Sequence, residues 1–419
     1  MKFAWLGCLF FGSLLIAGTE DSETNVNSRY TVESVIVSGD GWTTNLASGG
    51  EDHRISSGLR HQITDLIGNK LSPSALDDLA GKLRKEFHAR TVTHRILRGA
   101  APEYVQVVFD ISLRPSHFDL SVPKFLYSGR EGWNGAVEGT ATVAHNGFTV
   151  GIVSDGDELA ERYSGVVARY ENTQLGSDRL HFRFQFASYH EQWNGASRSE
   201  VLPDDTSEFY RTRQDVEPVA TVVLAKPLTL SIGFGFQRFQ DEGPDTQTEA
   251  ANAFLTGLRY QRTWEGSEQQ QNLDAAYDLR EATRMLDSDF VYGRHHWNLR
   301  YEWSHGKHVV IDDLTAGMLT GRAPLFERFV LGNSTTLRGW NKFEIDPLGG
   351  NRMVHNSVEY RYGVFEMFYD AGAAWDSGQS AVLRHSIGTG LRQGPLFVAV
   401  AFPVREGRVD PIFMVGMNY

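Results

Sequence analysis

Pro411 to Tyr419 reads PIFMVGMNY, and its pattern decides how most of the chain is read. Side chains alternate sides along a strand, so Phe413, Val415, Met417 and Tyr419 share one face. An apolar face that ends on an aromatic fits a membrane barrel, where that face meets lipid and aromatics gather at the interface. Working back to about Val122, the same alternation recurs in Leu396–Val404, Phe290–Trp303, Leu228–Phe239 (LTLSIGFGFQRF) and Arg179–Tyr189 (RLHFRFQFASY). Clusters of Gly, Asp, Asn and Pro divide roughly 15 or 16 such segments, near the ~10 residues per strand of such barrels. The expected fold is therefore mainly β, a 16-stranded antiparallel transmembrane β-barrel over residues 120–419. Its first strand is expected near Val122–Tyr127 or Trp133–Ala144. A soluble sandwich or propeller is the competing fold, but no blade-length repeat is visible.

Upstream of this region the periodicity changes. Tyr30–Ser38 (YTVESVIVS) is β-branched and stops at Gly39, as a strand would. Ile55, Leu59, Ile63, Leu66 and Ile67 follow at helical spacing, with Gly68 as a stop signal. Ser72-Pro73 opens a second helix with apolar face Leu76, Leu79, Ala80, Leu83 and Phe87. Two strands follow, Thr91–Leu97 and Tyr104–Ser112, the second placing Val105, Val107, Phe109 and Ile111 on one face. The order β-α-α-β-β over residues 29–115 predicts one small α/β domain. Residues 19–28 (TEDSETNVNS) read as a flexible lead-in. Residues 1–18 have the layout of a secretory signal peptide: Lys2, then the apolar run FAWLGCLFFGSLLIA, then a switch to Thr19, Glu20 and Asp21.

Composition excludes several chemistries. Cys8, inside the signal segment, is the sole cysteine, so the processed chain is expected to lack disulfides and thiolate sites. The net charge of -12 argues against nucleic acid as a partner. His295-His296 is a poor metal pair, because neighbours on a strand point to opposite faces. No H-E-x-x-H, Walker A or G-x-S-x-G element is present. Gly388 and Gly390 in SIGTGLR sit on a strand pattern without a following helix, which removes a dinucleotide reading. No catalytic residue, cofactor or metal is expected, and the chain does not read as an enzyme.

The stretch Arg322–Trp340, RAPLFERFVLGNSTTLRGW, adds a family likeness. Its core LRGW, with SVEYRYG at Ser357–Gly363 and MFYDAGAAWD at Met367–Asp376, resembles the Omp85 superfamily of BamA/TamA-type outer-membrane proteins, also called bacterial surface antigen D15. The LRGW core departs from that family's [VI]-RG-[FY] pattern at both ends. The β-α-α-β-β module resembles a POTRA domain. The resemblance implies that the loop carrying Arg338, Gly339 and Trp340 folds back into the lumen. It also implies that Arg338 pairs there with an acid on a barrel strand, carried over to Asp370, with Glu359 as the alternative. Strand alternation is compatible with this. With Phe365, Met367 and Tyr369 toward lipid, Asp370 and Glu366 point inward; with Val354, Val358, Tyr360 and Tyr362 outward, His355, Glu359 and Arg361 lie inside.

The resemblance further implies an assembly factor that inserts β-barrel proteins, using the seam between first and last strands. Phe413, Val415, Met417 and Tyr419 would lie on that seam, where Gly416 would weaken the pairing. Implied partners are outer-membrane lipids, unfolded β-barrel or secreted polypeptide clients, and accessory proteins of the periplasm or inner membrane. The expected location is the bacterial outer membrane with the POTRA domain in the periplasm. A two-partner-secretion pore and a non-catalytic surface barrel are the alternatives.

Overall fold

A computed structural model describes residues 29–39, 42–46, 55–87, 89, 91–112, 116–201, 209–242, 246–266, 269–405, 407 and 410–418. The expected signal segment, the lead-in and Tyr419 lie outside these residues. The chain divides into two compact units at Arg114/Pro115.

The first unit is a small α/β domain with elements β1 (Thr31–Gly39), β2 (Trp42–Asn45), α1 (Ser57–Thr64), α2 (Pro73–Glu86), β3 (Thr91–Arg98) and β4 (Tyr104–Ser112). Its sheet runs β2-β1-β4-β3, with β1 and β4 parallel and the other pairs antiparallel. The inward faces of the sheet (Val35, Val37, Val107, Phe109) and of the helices (Leu59, Ile63, Leu76, Leu83) form one core. Gly68, at φ +84°, turns the chain back after α1, a conformation that favours glycine. The short strand β2 was not legible, because WTTN is too brief to show a period. Trp42 helps close the core by stacking on Phe87, with ring centroids 5.6 Å apart.

The second unit is a closed antiparallel barrel. Its strands are β5 (Ser116–Ser128), β6 (Gly132–Val143), β7 (Asn146–Asp155), β8 (Arg162–Asn172), β9 (Leu180–Gln192), β10 (Tyr210–Ala225), β11 (Leu228–Asp241), β12 (Thr248–Ala250), β13 (Ala253–Glu265), β14 (Gln269–Ala282), β15 (Val291–His305), β16 (His308–Arg322), β17 (Arg352–Tyr362), β18 (Phe365–Trp375), β19 (Arg384–Gln393), β20 (Leu396–Val404) and β21 (Ile412–Asn418). β12 and β13 pair with successive parts of β11, so they form one interrupted strand and the wall has 16. Two short helices, α3 (Gly195–Ser199) and α4 (Lys342–Ile345), sit in loops.

The first wall strand begins at Ser116, earlier than expected from sequence. Phe118 and Leu120 already alternate with His117 and Asp119, but Pro123 interrupts the pattern. It falls in the register shift between Ser121 and Lys124, where a residue without an N–H is tolerated.

The two barrel ends differ. At one end, strands join through two-residue turns such as 306–307, 363–364 and 394–395, whose first residues Gly306, Gly363 and Gly394 have φ near +60°. That is the glycine-favouring geometry of tight hairpins. At the other end lie long loops, chief among them residues 323–351 between β16 and β17. Strand alternation holds around the wall, with Phe365, Met367, Tyr369, Phe413 and Val415 facing outward.

The lumen is not uniformly polar. Its loop-side half is filled by an apolar core of Trp193, Phe209, Tyr210, Phe239, Phe290, Phe326, Phe329, Leu331, Leu337 and others. Phe326 stands edge-on to Tyr210 and Phe239, at 5.2 and 5.3 Å between ring centroids. The turn-side half holds polar cavities of about 890 and 790 Å³.

β21 closes the barrel on β5 through five register pairs, from Met414↔Ser128 to Asn418↔Lys124. By contrast, β15 and β16 share fifteen. A small inward cluster, Leu126, Phe368, Ala399, Ala401, Ile412 and Met414, backs the seam. Gly416 does not simply loosen the pairing, because a Cβ there would stand 2.3 Å from the Phe125 carbonyl oxygen. Glycine is what lets β21 approach β5. Gly416→Val is expected to destabilise the barrel by about 1–3 kcal/mol through overpacking. The readout is the urea midpoint of the folded band on unheated gels, and an unchanged midpoint would refute the close-approach account.

Candidate functional site

Residues 323–351 turn inward and bring Arg338 against β17 and β18. The Arg338 backbone N–H and Nε both donate to Asp370 Oδ2, at 3.0 and 2.9 Å, and Nη2 donates to Oδ1 at 2.7 Å. Two parallel side-chain bonds to one carboxylate form the bidentate fork that lysine cannot reproduce. Nη2 also donates to Ser357 Oγ at 2.8 Å, and Nη1 to Glu359 Oε2 at 3.3 Å. Ser357 in turn donates to Asp370 Oδ1 at 2.7 Å. Asp370 thus takes most of the contact, with Glu359 as a secondary partner. The guanidinium lies 3.5 Å from the ring centroid of Phe368, a cation–π contact that covers its remaining face.

The neighbouring charges are balanced in the same way. Glu366 accepts from Arg392 Nε at 2.6 Å and stands 3.5 Å from Arg361 Nε, while Arg361 also pairs with Glu359. Asp370 is fully buried and Glu366 nearly so. A buried carboxylate is stable only when paired and hydrogen-bonded, which this set achieves.

Gly339 and Trp340 fix the loop against the next strands. Gly339 has φ +94°, and its Cα side lies so near β20 that a Cβ would meet Phe402 and Pro403 backbone atoms at 3.2 Å. Trp340 donates its indole N–H to the His385 carbonyl on β19 at 2.7 Å. His296 faces inward and stacks on Phe329 of the loop, whereas His295 hydrogen-bonds Tyr277 at 2.8 Å and stacks on Trp297. The two histidines point to different sides.

Several contributors were missed from sequence. Ser357 and Phe368 were available by parity: Ser357 shares the inward face with His355 and Glu359, and lies opposite Asp370 in register. Lys342 and Asp157 carried no such signal. Lys342 Nζ donates to the carbonyls of Gly156 and Leu159, the latter at 2.6 Å. Burial pulls this ammonium below the ordinary lysine range, against the raising pull of Glu131 and Asp157.

A closed membrane barrel whose longest loop is held inside its own lumen by a buried arginine fork is the class that this fold and site define. Residues 228–414, a little under half of the chain, match the Omp85 superfamily domain, and over this stretch the barrel is similar to that superfamily. Over 112 residues it is 33% identical to the outer membrane protein assembly factor BamA of Nitratidesulfovibrio vulgaris. That match takes in 21% of this chain and spans only 14% of the relative's length. Among solved structures it is similar to BamA from Haemophilus ducreyi lacking POTRA domains 1–3, with TM-score 0.57 and 15% identity over 93% of this chain and 84% of that one. It is also similar to CdiB from Acinetobacter baumannii, with TM-score 0.52 and 13% identity over 94% and 74%. At these identities the structural likeness concerns the fold. The superfamily domain and the assembly-factor relative place the barrel in the outer membrane.

Arg338→Ala leaves Asp370 buried without its cation and is expected to cost about 3–5 kcal/mol. Arg338→Lys keeps the charge but loses the fork, so it should recover only part of this. Denaturant titration of both variants checks the order. Full recovery by lysine would mean that charge alone holds the loop.

Proposed function

We propose that this protein assists the insertion of β-barrel proteins into the outer membrane, with no catalytic step and no cofactor. The observation that carries the reading is the seam. Among the described residues it is held by five register pairs, against fifteen between β15 and β16, and parting it would leave the edge of β5 unpaired. An unpaired strand edge is a template for another strand, as in β-augmentation. A client strand cannot enter hydrocarbon with bare N–H and C=O groups, so borrowing a paired edge lowers its barrier. Exchange of seam pairs for client pairs is close to neutral in hydrogen bonds, so no nucleotide is required.

In this reading the small α/β domain is a POTRA domain in the periplasm, and the edges of its sheet guide unfolded clients by the same pairing. The short-turn end of the barrel faces the periplasm and the long loops face outward. Lipids, barrel clients and accessory proteins are the partners.

A polypeptide-secretion pore is the second reading, favoured by the fold shared with CdiB. The aromatic core filling the loop-side half of the lumen speaks for insertion instead, since a secreted chain would have to displace it. A passive surface barrel would have no use for a short seam.

Reconstitution into liposomes separates these readings. Insertion of an unfolded outer-membrane client should be accelerated, and a seam locked by Tyr127→Cys with Val415→Cys should stop it until a reductant is added. No acceleration, or acceleration indifferent to the locked seam, removes the assembly reading. Polypeptide-gated conductance in its place would establish the pore.

A further inference from the structure

The loop of residues 323–351 is attached to both walls that flank the seam. On one side it holds β18 through Arg338 and Asp370, and β19 through Trp340 and the His385 carbonyl. Arg405, just beyond β20, adds an ion pair to Glu344 at 3.0 Å. On the other side the same loop holds the hairpins that begin with β5. Ser334 donates its backbone N–H and its hydroxyl to the two oxygens of Asp157, at 3.0 and 2.5 Å. Lys342 Nζ donates to the Gly156 and Leu159 carbonyls, and the Glu131 carboxylate stands 3.9 Å away.

Residues 156–161 join β7 to β8, and Glu131 lies in the turn after β5. The Gly156 N–H donates to Asn134 on β6 at 2.7 Å, which ties that segment to the first hairpin. In sheet order the two attachments are separated by β19-β20-β21 and then β5-β6-β7. The seam lies midway on that path. Walls carrying β18 and β7 cannot part at the seam while both ends of the loop stay bound.

We propose that residues 323–351 are a strap across the seam, and that Asp157 and Lys342 are positioning residues forming its releasable latch. The proposal rests on the reading above, in which the seam opens. The two ends are unequal. The Arg338 end puts three bonds onto one buried carboxylate, with Ser357, Glu359 and the Phe368 ring completing the shell, all on wall strands. The latch end grips a six-residue loop, which can shift without breaking any strand pairing. Release at Asp157 would free the β5 side, while Arg338 keeps the strap parked on β18.

The test uses the full chain in phosphatidylethanolamine/phosphatidylglycerol vesicles, with Cys8→Ser. Tyr127→Cys and Val415→Cys are register partners across the seam, and their rate of disulfide formation under mild oxidation reads the closed state. Leu258→Cys and Tyr277→Cys, partners on β13 and β14, are the control pair. Asp157→Asn or Ser334→Ala is expected to slow seam cross-linking, by at most about fivefold, the equilibrium shift from one ordinary hydrogen bond. The control pair and the folded band on unheated gels should not change. Seam cross-linking at the parent rate in both variants overturns the proposal. If Asp157→Asn does not give a folded band, Ser334→Ala alone decides, because it removes one hydroxyl and no charge. The cross-link needs no client. A slowed seam without any change in client insertion therefore sinks the assembly reading and leaves the latch standing.

Discussion

A backbone N–H or C=O inside hydrocarbon has no water to bond, so a sheet can cross a membrane only if it closes on itself. Each strand of this wall meets that constraint through its two neighbours, and the quality of closure varies around the ring. It is generous between β15 and β16 and thin between β21 and β5. The thin place is supported from inside by apolar residues of β5, β18, β20 and β21, an unusual choice for a lumen face. Dispersion and burial there replace part of what backbone pairing supplies elsewhere. Such contacts are non-directional, so they can be lost and remade without a fixed register.

The buried arginine answers a different need. A charged pair inside the barrel is costly to bury, and apolar residues in place of both partners would often be as stable. What the Arg338–Asp370 fork supplies is one position for the loop. Its geometry fixes the guanidinium in the plane of the carboxylate, the +94° φ of Gly339 fixes the approach of the backbone, and Trp340 fixes the next strand along. Loop placement then decides how the aromatic core packs, because Phe326, Phe329, Leu331 and Leu337 all belong to that loop.

Much of this was legible from residue order, and the limits have physical causes. Alternation revealed the wall because lipid and lumen impose opposite polarities on neighbouring residues. It missed the start of β5 upstream of Pro123, where a bulge breaks the period, and it gave no sign of the apolar patches inside the lumen. Ile412, Met414, Phe368 and Ala401 face inward, and no periodicity distinguishes an apolar lumen contact from an apolar lipid contact when both faces are apolar. In the site, parity placed Asp370, Glu359 and Glu366 on the inner surface, and the family motif pointed Arg338 at them. The contacts of Asp157 with Ser334 link residues 177 positions apart in two loops, and loops carry no period from which such a meeting could be read.

The two halves of the lumen bear on direction. Toward the short turns the interior is hollow, with paired charges such as Arg259–Asp274 and Arg300–Asp313 on its walls. Toward the long loops it is packed with aromatic rings. On the proposed orientation, a polypeptide arriving from the periplasm meets polar space first and an apolar barrier beyond it. Going straight through would expose that core to water and strip its edge-to-face ring contacts. Going sideways breaks five strand pairs and replaces them with equivalent pairs from the client. The second route exchanges hydrogen bonds for equivalent ones and leaves the aromatic core intact. On the proposed function the closed state therefore favours lateral exchange, with the proposed strap setting when the walls can part.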